Sequence, residues 1–210
     1  PVVVDNQLID NDVGIDFQSA TGSTILSNSV LGRSYWGIAL WDGTAGSNVG
    51  DNSIAVDQDG ITLDGLAIAP AVNTGNIVHD NSITGGTGGI LIVNAQGNEV
   101  VGNDRDGGTR ALSIGFGGWP NLVYWNNFAG WSHWGVWSDV GPVELSQAGQ
   151  GNWWGHVCPE LLFMQGVDSN RIDVADSYAY RMRDAWEFDF PPGCLPPVPD
   201  TDGDTIPDDW

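Results

Sequence analysis

The last eleven residues, Asp200-Thr-Asp202-Gly-Asp204-Thr-Ile206-Pro-Asp208-Asp209-Trp210, set carboxylates on alternate positions and then add a further pair. Asp200, Asp202, Asp204 and Asp208 can wrap oxygens around a hard cation of calcium's size, with Gly203 permitting the bend. The competing reading is a solvated acidic tail. A second chemical feature is aromatic. Seven of the eleven tryptophans lie between Trp119 and Trp154, and the tryptophans of Trp131-Ser-His-Trp134-Gly-Val-Trp137 cannot all face inward on a strand. Trp119, Trp125, Trp131, Trp134 and Trp137 therefore either stack on sugar rings or another subunit, or plug the wide end of a core.

Catalytic chemistry is less well represented, and no catalytic residue is assigned. Asp10, Asp12, Asp57 and Asp59 recur at comparable turn positions with Arg33 between them, which suits a site or, more simply, an arginine neutralising stacked acids. Asp104 and Asp106 are an acidic pair of the kind glycoside hydrolysis uses, without further support. The chain has no Lys to act as a base. His79, His133 and His156 share no ligand spacing, so a copper or zinc site is not expected. No nucleophile elbow, phosphate loop or haem motif occurs.

The elements that must carry these residues follow from composition and period. Among 210 residues there are 27 acidic and six basic side chains, a formal charge of -21. That field repels phosphate backbones and anionic lipid, so nucleic acid and membrane insertion are excluded as partners. No apolar run approaches the roughly 20 residues of a spanning helix. The acids are nearly all Asp, which suits turns better than helix faces. Cys158 and Cys194 fit no zinc pattern, and one disulfide in an oxidising compartment is the expected state. The start at Pro1 reads as a processed or trimmed piece of an exported protein.

Asn6, Asn28, Asn52, Asn81, Asn103 and Asn126 are spaced by intervals of 22 to 29 residues. Eight or nine residues after each comes a small residue and an aliphatic, as in Gly14-Ile15, Gly37-Ile38, Gly60-Ile61 and Gly89-Ile90. A second ladder is expected through Ser23, Asn48, Asn76, Asn98 and Asn121. Such a period with short β-patterned runs predicts one solenoid coil per repeat, the Asn side chains bonding to one another at a turn. Leucine-rich spacing is missing. The fold class is therefore all-β, a single-stranded right-handed parallel β-helix of about six coils. The 29-residue third interval carries an extra Asp64–Pro70 stretch, read as a loop pushed out of one turn.

Over residues 1–155 the sequence resembles the right-handed parallel β-helix repeat family, the NosD-like group of carbohydrate-binding and sugar-hydrolase type. The closing Gly151-Asn152-Trp153-Trp154-Gly155 looks like the signature that follows the last coil in such proteins. The resemblance implies the fold, whereas lyases, glycosidases, adhesins and bare structural repeats share it. The acidic tail resembles a thrombospondin type 3 calcium loop and departs from the EF-hand, because Gly203 is fourth and no Glu closes it. Residues 156–195 are expected to form a capping segment tied by Cys158 to Cys194, and 196–210 a Pro-rich linker with the calcium-binding-like tail. These readings predict an extracellular, calcium-associated structural or assembly module, self-associating or meeting a neighbouring surface protein as a head-to-tail filament. The alternative is a secreted polysaccharide-binding or polysaccharide-cleaving protein.

Overall fold

The computed structural model of the chain describes residues 1–65, 72–132, 134–140, 143–145, 151–154 and 174–175. The expected cap, the Cys158–Cys194 pair, the calcium ligands Asp200, Asp202, Asp204 and Asp208, and all but the first two residues of the expected Asp64–Pro70 loop lie outside them. Within the expected cap, Val174–Ala175 pairs in parallel with Val143–Glu144.

Three parallel six-stranded sheets wrap a right-handed solenoid of about six turns. The first sheet stacks Val2–Val4, Thr24–Leu26, Asn48–Gly50, Ile77–His79, Glu99–Val101 and Leu122–Tyr124. The second stacks Gln7–Ile9, Ser29–Leu31, Ser53–Ala55, Ser82–Thr84, Asp104–Asp106 and Asn127–Ala129. The third has the longest strands: Val13–Gln18, Trp36–Trp41, Asp59–Asp64, Gly88–Val93, Arg110–Ile114 and Trp134–Ser138.

Between the first and second sheets the chain turns on one residue in the left-handed region: Asp5, Ser27, Asp51, Asp80, Gly102 or Trp125. Asp and Gly tolerate that conformation, and an indole there is an outlier. The next residue is the ladder Asn. Each donates its backbone N–H at 2.9–3.1 Å and its Nδ2 at 2.8–3.1 Å to Oδ1 of the Asn one coil on. The series runs from Asn6 through Asn28, Asn52, Asn81, Asn103 and Asn126 to a seventh rung, Asn152. From Asn28 onward, Nδ2 also reaches a carbonyl of the preceding coil, as in Asn81 to Val49 at 3.0 Å. Buried turn amides are thereby satisfied without water.

The second ladder differs from the expected one at one rung. Ser47, not Asn48, continues it: Ser23 N–H donates to Ser47 Oγ at 3.3 Å, and Ser47 N–H donates to Asn76 Oδ1 at 2.9 Å. Asn48 instead begins a first-sheet strand. A hydroxyl supplies the acceptor that the rung needs, so Ser substitutes for Asn there.

Aliphatic columns such as Ile25–Val49–Val78–Val100 and Ile38–Ile61–Ile90–Leu112 fill the interior with essentially no exposure. The small residue ahead of each third-sheet aliphatic has a steric cause. A Cβ on Gly14, Gly37 or Gly60 would run into Val30, Ile54 or Ile83 of the second sheet. At the far end Phe128 packs on the buried Trp154, ring centroids 4.8 Å apart. At the near end the core residues Val3, Leu8 and Phe17 are only partly buried, and Val2 is 73% exposed.

Candidate functional site

The outward face of the third sheet brings aromatic rings and charges together. Trp36 and Trp41 bound one strand, and their Cα atoms lie about 16 Å apart at normal strand rise. Their rings nonetheless meet edge to face, centroids 5.4 Å apart at 89°. Both indoles must therefore lean along the strand over its middle, where Ala39 is fully buried. Trp36 pairs in register with Asp59 and Trp41 with Asp64 on the next coil, with Ala39 beside the buried Thr62. Each end of the face thus pairs a tryptophan with a carboxylate in register, while the two rings meet over the middle.

Local packing holds the acids in place. The Asp59 carboxylate lies over Gly88, where any Cβ would collide with Oδ1. Burial raises its pKa above the ordinary value, against the opposing pull of Arg110 and Arg105. Burial likewise raises the Asp64 pKa, and the neighbouring Asp42 adds to the shift. Arg110 sits under the Trp137 ring at 5.6 Å, a cation–π contact on the same face. The Cα atoms of Asp59 and Asp64, at opposite ends of a six-residue strand, are again about 16 Å apart, and two short Asp side chains do not close that gap to the roughly 5–9.5 Å that glycoside hydrolysis requires between carboxyl groups. The pair can accept hydrogen bonds from sugar hydroxyls and cannot act as an acid and its opposed base.

Arg105 is a buried cation in a column of aliphatics, between Ile83 and Phe128. It donates from Nη1 to the Asp106 carbonyl at 2.8 Å, while Nε and Nη2 find no hydrogen-bond partner. Gly89 and Gly108 leave room for it, since a Cβ at either would meet the guanidinium. Burial lowers its pKa to about 10, with Asp106 and Asp59 opposing the fall.

The other residues singled out in the sequence are placed as follows. Asp10 and Arg33 come together, Asp10 Oδ1 accepting the Arg33 backbone N–H at 3.3 Å. Arg33 and Asp57 line a cleft of about 390 Å³ at the turn between the second and third sheets, floored by Gly85 and Gly86. Asp59 lies beyond that turn, on the third-sheet face. Asp104 and Asp106 flank Arg105 on the second sheet. Trp119, Trp125, Trp131 and Trp137 are half-buried, and Trp119 and Trp131 pack against the core. Trp134 lies on the last third-sheet strand.

Trp36, Trp41 and Asp64 are not among the site residues expected from the sequence. Their signal was the repeat itself: in successive coils Trp-Gly-Ile-Ala-Leu-Trp and Asp-Gly-Ile-Thr-Leu-Asp carry paired flanking residues around one motif.

Stacked parallel coils, an internal Asn ladder and a decorated outer sheet define a right-handed β-solenoid binding or structural protein. Residues 2–155 match the family model described as periplasmic copper-binding protein (NosD), and the chain belongs to that family. No curated protein and no solved structure gives a significant match.

The described coils do not bring together the donors of a copper centre. The matched stretch contains no Cys or Met and two histidines, His79 and His133, whereas copper favours sulfur and imidazole ligands. His79 has both ring nitrogens engaged, Nδ1 with Asp80 Oδ2 at 2.9 Å and Nε2 with Asn48 Oδ1 at 2.7 Å. Among the described residues no three His, Cys, Asp or Glu side chains converge. No helix among them is long and apolar enough to cross a membrane.

Proposed function

We propose that this protein is an exported, non-catalytic solenoid that binds polysaccharide across the outer face of its third sheet. The observation that carries the reading is the pair of tryptophan rings folded over Ala39, with Asp59 and Asp64 in register beside them. Indoles supply a flat apolar surface for a sugar ring, and adjacent carboxylates accept its hydroxyls. The roughly 16 Å between the Cα atoms of the two acids, which carry short side chains, favours binding over cleavage. The family name places its members in the periplasm, which agrees with residence outside the cytoplasm.

Affinity electrophoresis through gels containing soluble polysaccharides tests this. One or more polymers retard the native protein, and the doubly substituted Trp36→Ala, Trp41→Ala variant, with unchanged far-ultraviolet dichroism, migrates freely. Equal retardation of the two would remove the reading.

A second reading, calcium-associated assembly into head-to-tail surface filaments, is favoured by apolar side chains exposed on the first coil described. Val2, Val4 and Ile9 are exposed there, and Asn6 Oδ1 accepts no hydrogen bond among the described residues. The calcium would be held by Asp200, Asp202, Asp204 and Asp208. Electron microscopy with calcium and with chelator decides it: calcium-dependent fibres support assembly, and dispersed monomers in both conditions remove it.

A further inference from the structure

The cleft at the turn between the second and third sheets has a mixed lining. It holds about 390 Å³ and is lined by one cation, Arg33, and one anion, Asp57, on neighbouring coils. Both residues are exposed, and among the described residues neither forms an ion pair, with the other or with anything else. The bond that ties Arg33 to Asp10 runs from its backbone N–H and leaves the guanidinium free. Opposite charges that line one cleft without meeting leave room for a group that accepts from one and donates to the other.

The floor adds a further donor. A Cβ on Gly108 of the next coil would lie 2.4 Å from Gly86 O and 2.9 Å from Gly85 O, so both carbonyls face that coil. In a trans peptide the N–H points opposite to the C=O. Thr87 N–H accordingly faces the preceding coil, where it donates to the Asp57 carbonyl at 3.1 Å. Gly86 N–H, opposite the Gly85 carbonyl, faces the same way and has no hydrogen-bond partner among the described residues. Ala55 and Val56 add apolar surface to the wall.

An acetamido group matches this set. Its carbonyl accepts from a guanidinium or a backbone N–H, its N–H donates to a carboxylate, and its methyl suits the apolar wall. It is neutral, so a chain of charge -21 does not repel it as it would a uronate. A free amine would instead set a second cation beside Arg33. The cleft also adjoins the Trp36 end of the third-sheet face, because Arg33 precedes Trp36 by three residues and Asp57 precedes Asp59 by two. Two residues span at most about 7 Å, so sugar units in the cleft and on the rings can be neighbours in one chain.

We infer that the Arg33–Asp57 cleft is an acetamido subsite of the same track, so that the glycan bound carries N-acetylated amino sugars. This rests on the reading of the third-sheet face as a glycan platform.

Isothermal titration with equal-length oligomers of N-acetylglucosamine, glucosamine and glucose tests it. The acetylated oligomer binds about tenfold more tightly than the other two, the size of one charge-assisted hydrogen bond. In Arg33→Gln and in Asp57→Asn the ratio falls toward one. Both side chains are exposed and make no hydrogen bond within the fold, so the variants keep it. Equal affinity for the three oligomers, a preference that survives both substitutions, or tightest binding of glucosamine would overturn the inference and leave the platform intact. An acetylated alanine dipeptide that binds as tightly as the acetylated oligomer would give the cleft to peptide and overturn it too. Failure of all three oligomers, with retardation in polysaccharide gels retained, also overturns the inference alone. Failure in both assays removes the platform itself.

Discussion

At the scale of single residues, the chain places polar groups where their chemistry, not their average preference, decides the outcome. Arg105 occupies an aliphatic column with two of its three guanidinium nitrogens unbonded. Removing a charge from water costs several kcal/mol, and one bond to a carbonyl together with the pull of Asp106 and Asp59 does not offset that. Arg105→Met is therefore expected to stabilise the protein by about 1–4 kcal/mol in urea unfolding. A loss of stability would show that the guanidinium holds more than the Asp106 carbonyl. The arginine could be read in the sequence as one break in a run of aliphatics at that position, Leu8, Val30, Ile54 and Ile83. Its burial could not, because the space it fills is created by the missing side chains of Gly89 and Gly108.

At the scale of the repeated element, the Asn ladder was legible and the binding face was not, for separate physical reasons. An Asn rung needs one side chain that both donates and accepts, so chemical identity alone marks it at each period. The rung at Ser47 escaped because only its acceptor is used, and the adjacent Asn48 drew the reading one residue on. Asn152 escaped because its interval of 26 residues runs into a tryptophan pair. The third-sheet face escaped because strict alternation puts Trp36 and Trp41 on opposite sides of a strand. Two consecutive residues, Gly37 and Ile38, point inward, as the collision of a Cβ at 37 with Ile54 and the burial of Ile38 show. The pairing skips that glycine, and the phase of the strand shifts so that both indoles face out.

The ladder gives a graded prediction at this scale. Asn81→Ala leaves the backbone N–H and one of the two Nδ2 hydrogens of Asn52 without an acceptor, while Nδ2 keeps its bond to the Ile25 carbonyl. Two buried orphan donors cost about 3 kcal/mol or more. Asn6→Ala, at the exposed end, removes an acceptor that nothing uses and costs about 1 kcal/mol or less. Equal losses in chemical denaturation would mean that the rungs do not act through the bonds between coils.

At the scale of the whole molecule, a charge of -21 is carried on a fold that partly buries Asp59 and Asp64 on its outer face. Asp59 and Asp64 both have pKa values raised above 3.8. A carboxyl whose folded pKa lies above its unfolded value binds its proton more readily in the native state. Native protein then holds more protons between the two values, and stability rises as pH falls through that window. The midpoint of thermal unfolding is therefore expected to increase on mild acidification from pH 7 toward pH 4, and to increase less in an Asp59→Asn, Asp64→Asn variant. A monotonic fall over that range in the native protein would contradict these directions.

The solenoid also sets what the molecule can do as a unit. Its coils are rigidly cross-linked by side-chain bonds, so the aromatic and acidic groups of neighbouring coils keep a fixed spacing, as binding an extended polymer requires. The family's copper-binding description finds no matching donor set in the coils, and the outer face of the longest sheet is where rings and charges converge. The most direct test is a crystal structure of the protein soaked with an oligomer of a polysaccharide that retards it in affinity electrophoresis. The account predicts a sugar ring against the Trp36–Trp41 pair, with its hydroxyls donating to Asp59 or Asp64. Ordered oligomer in the Arg33–Asp57 cleft, with the tryptophan pair bare, would contradict it.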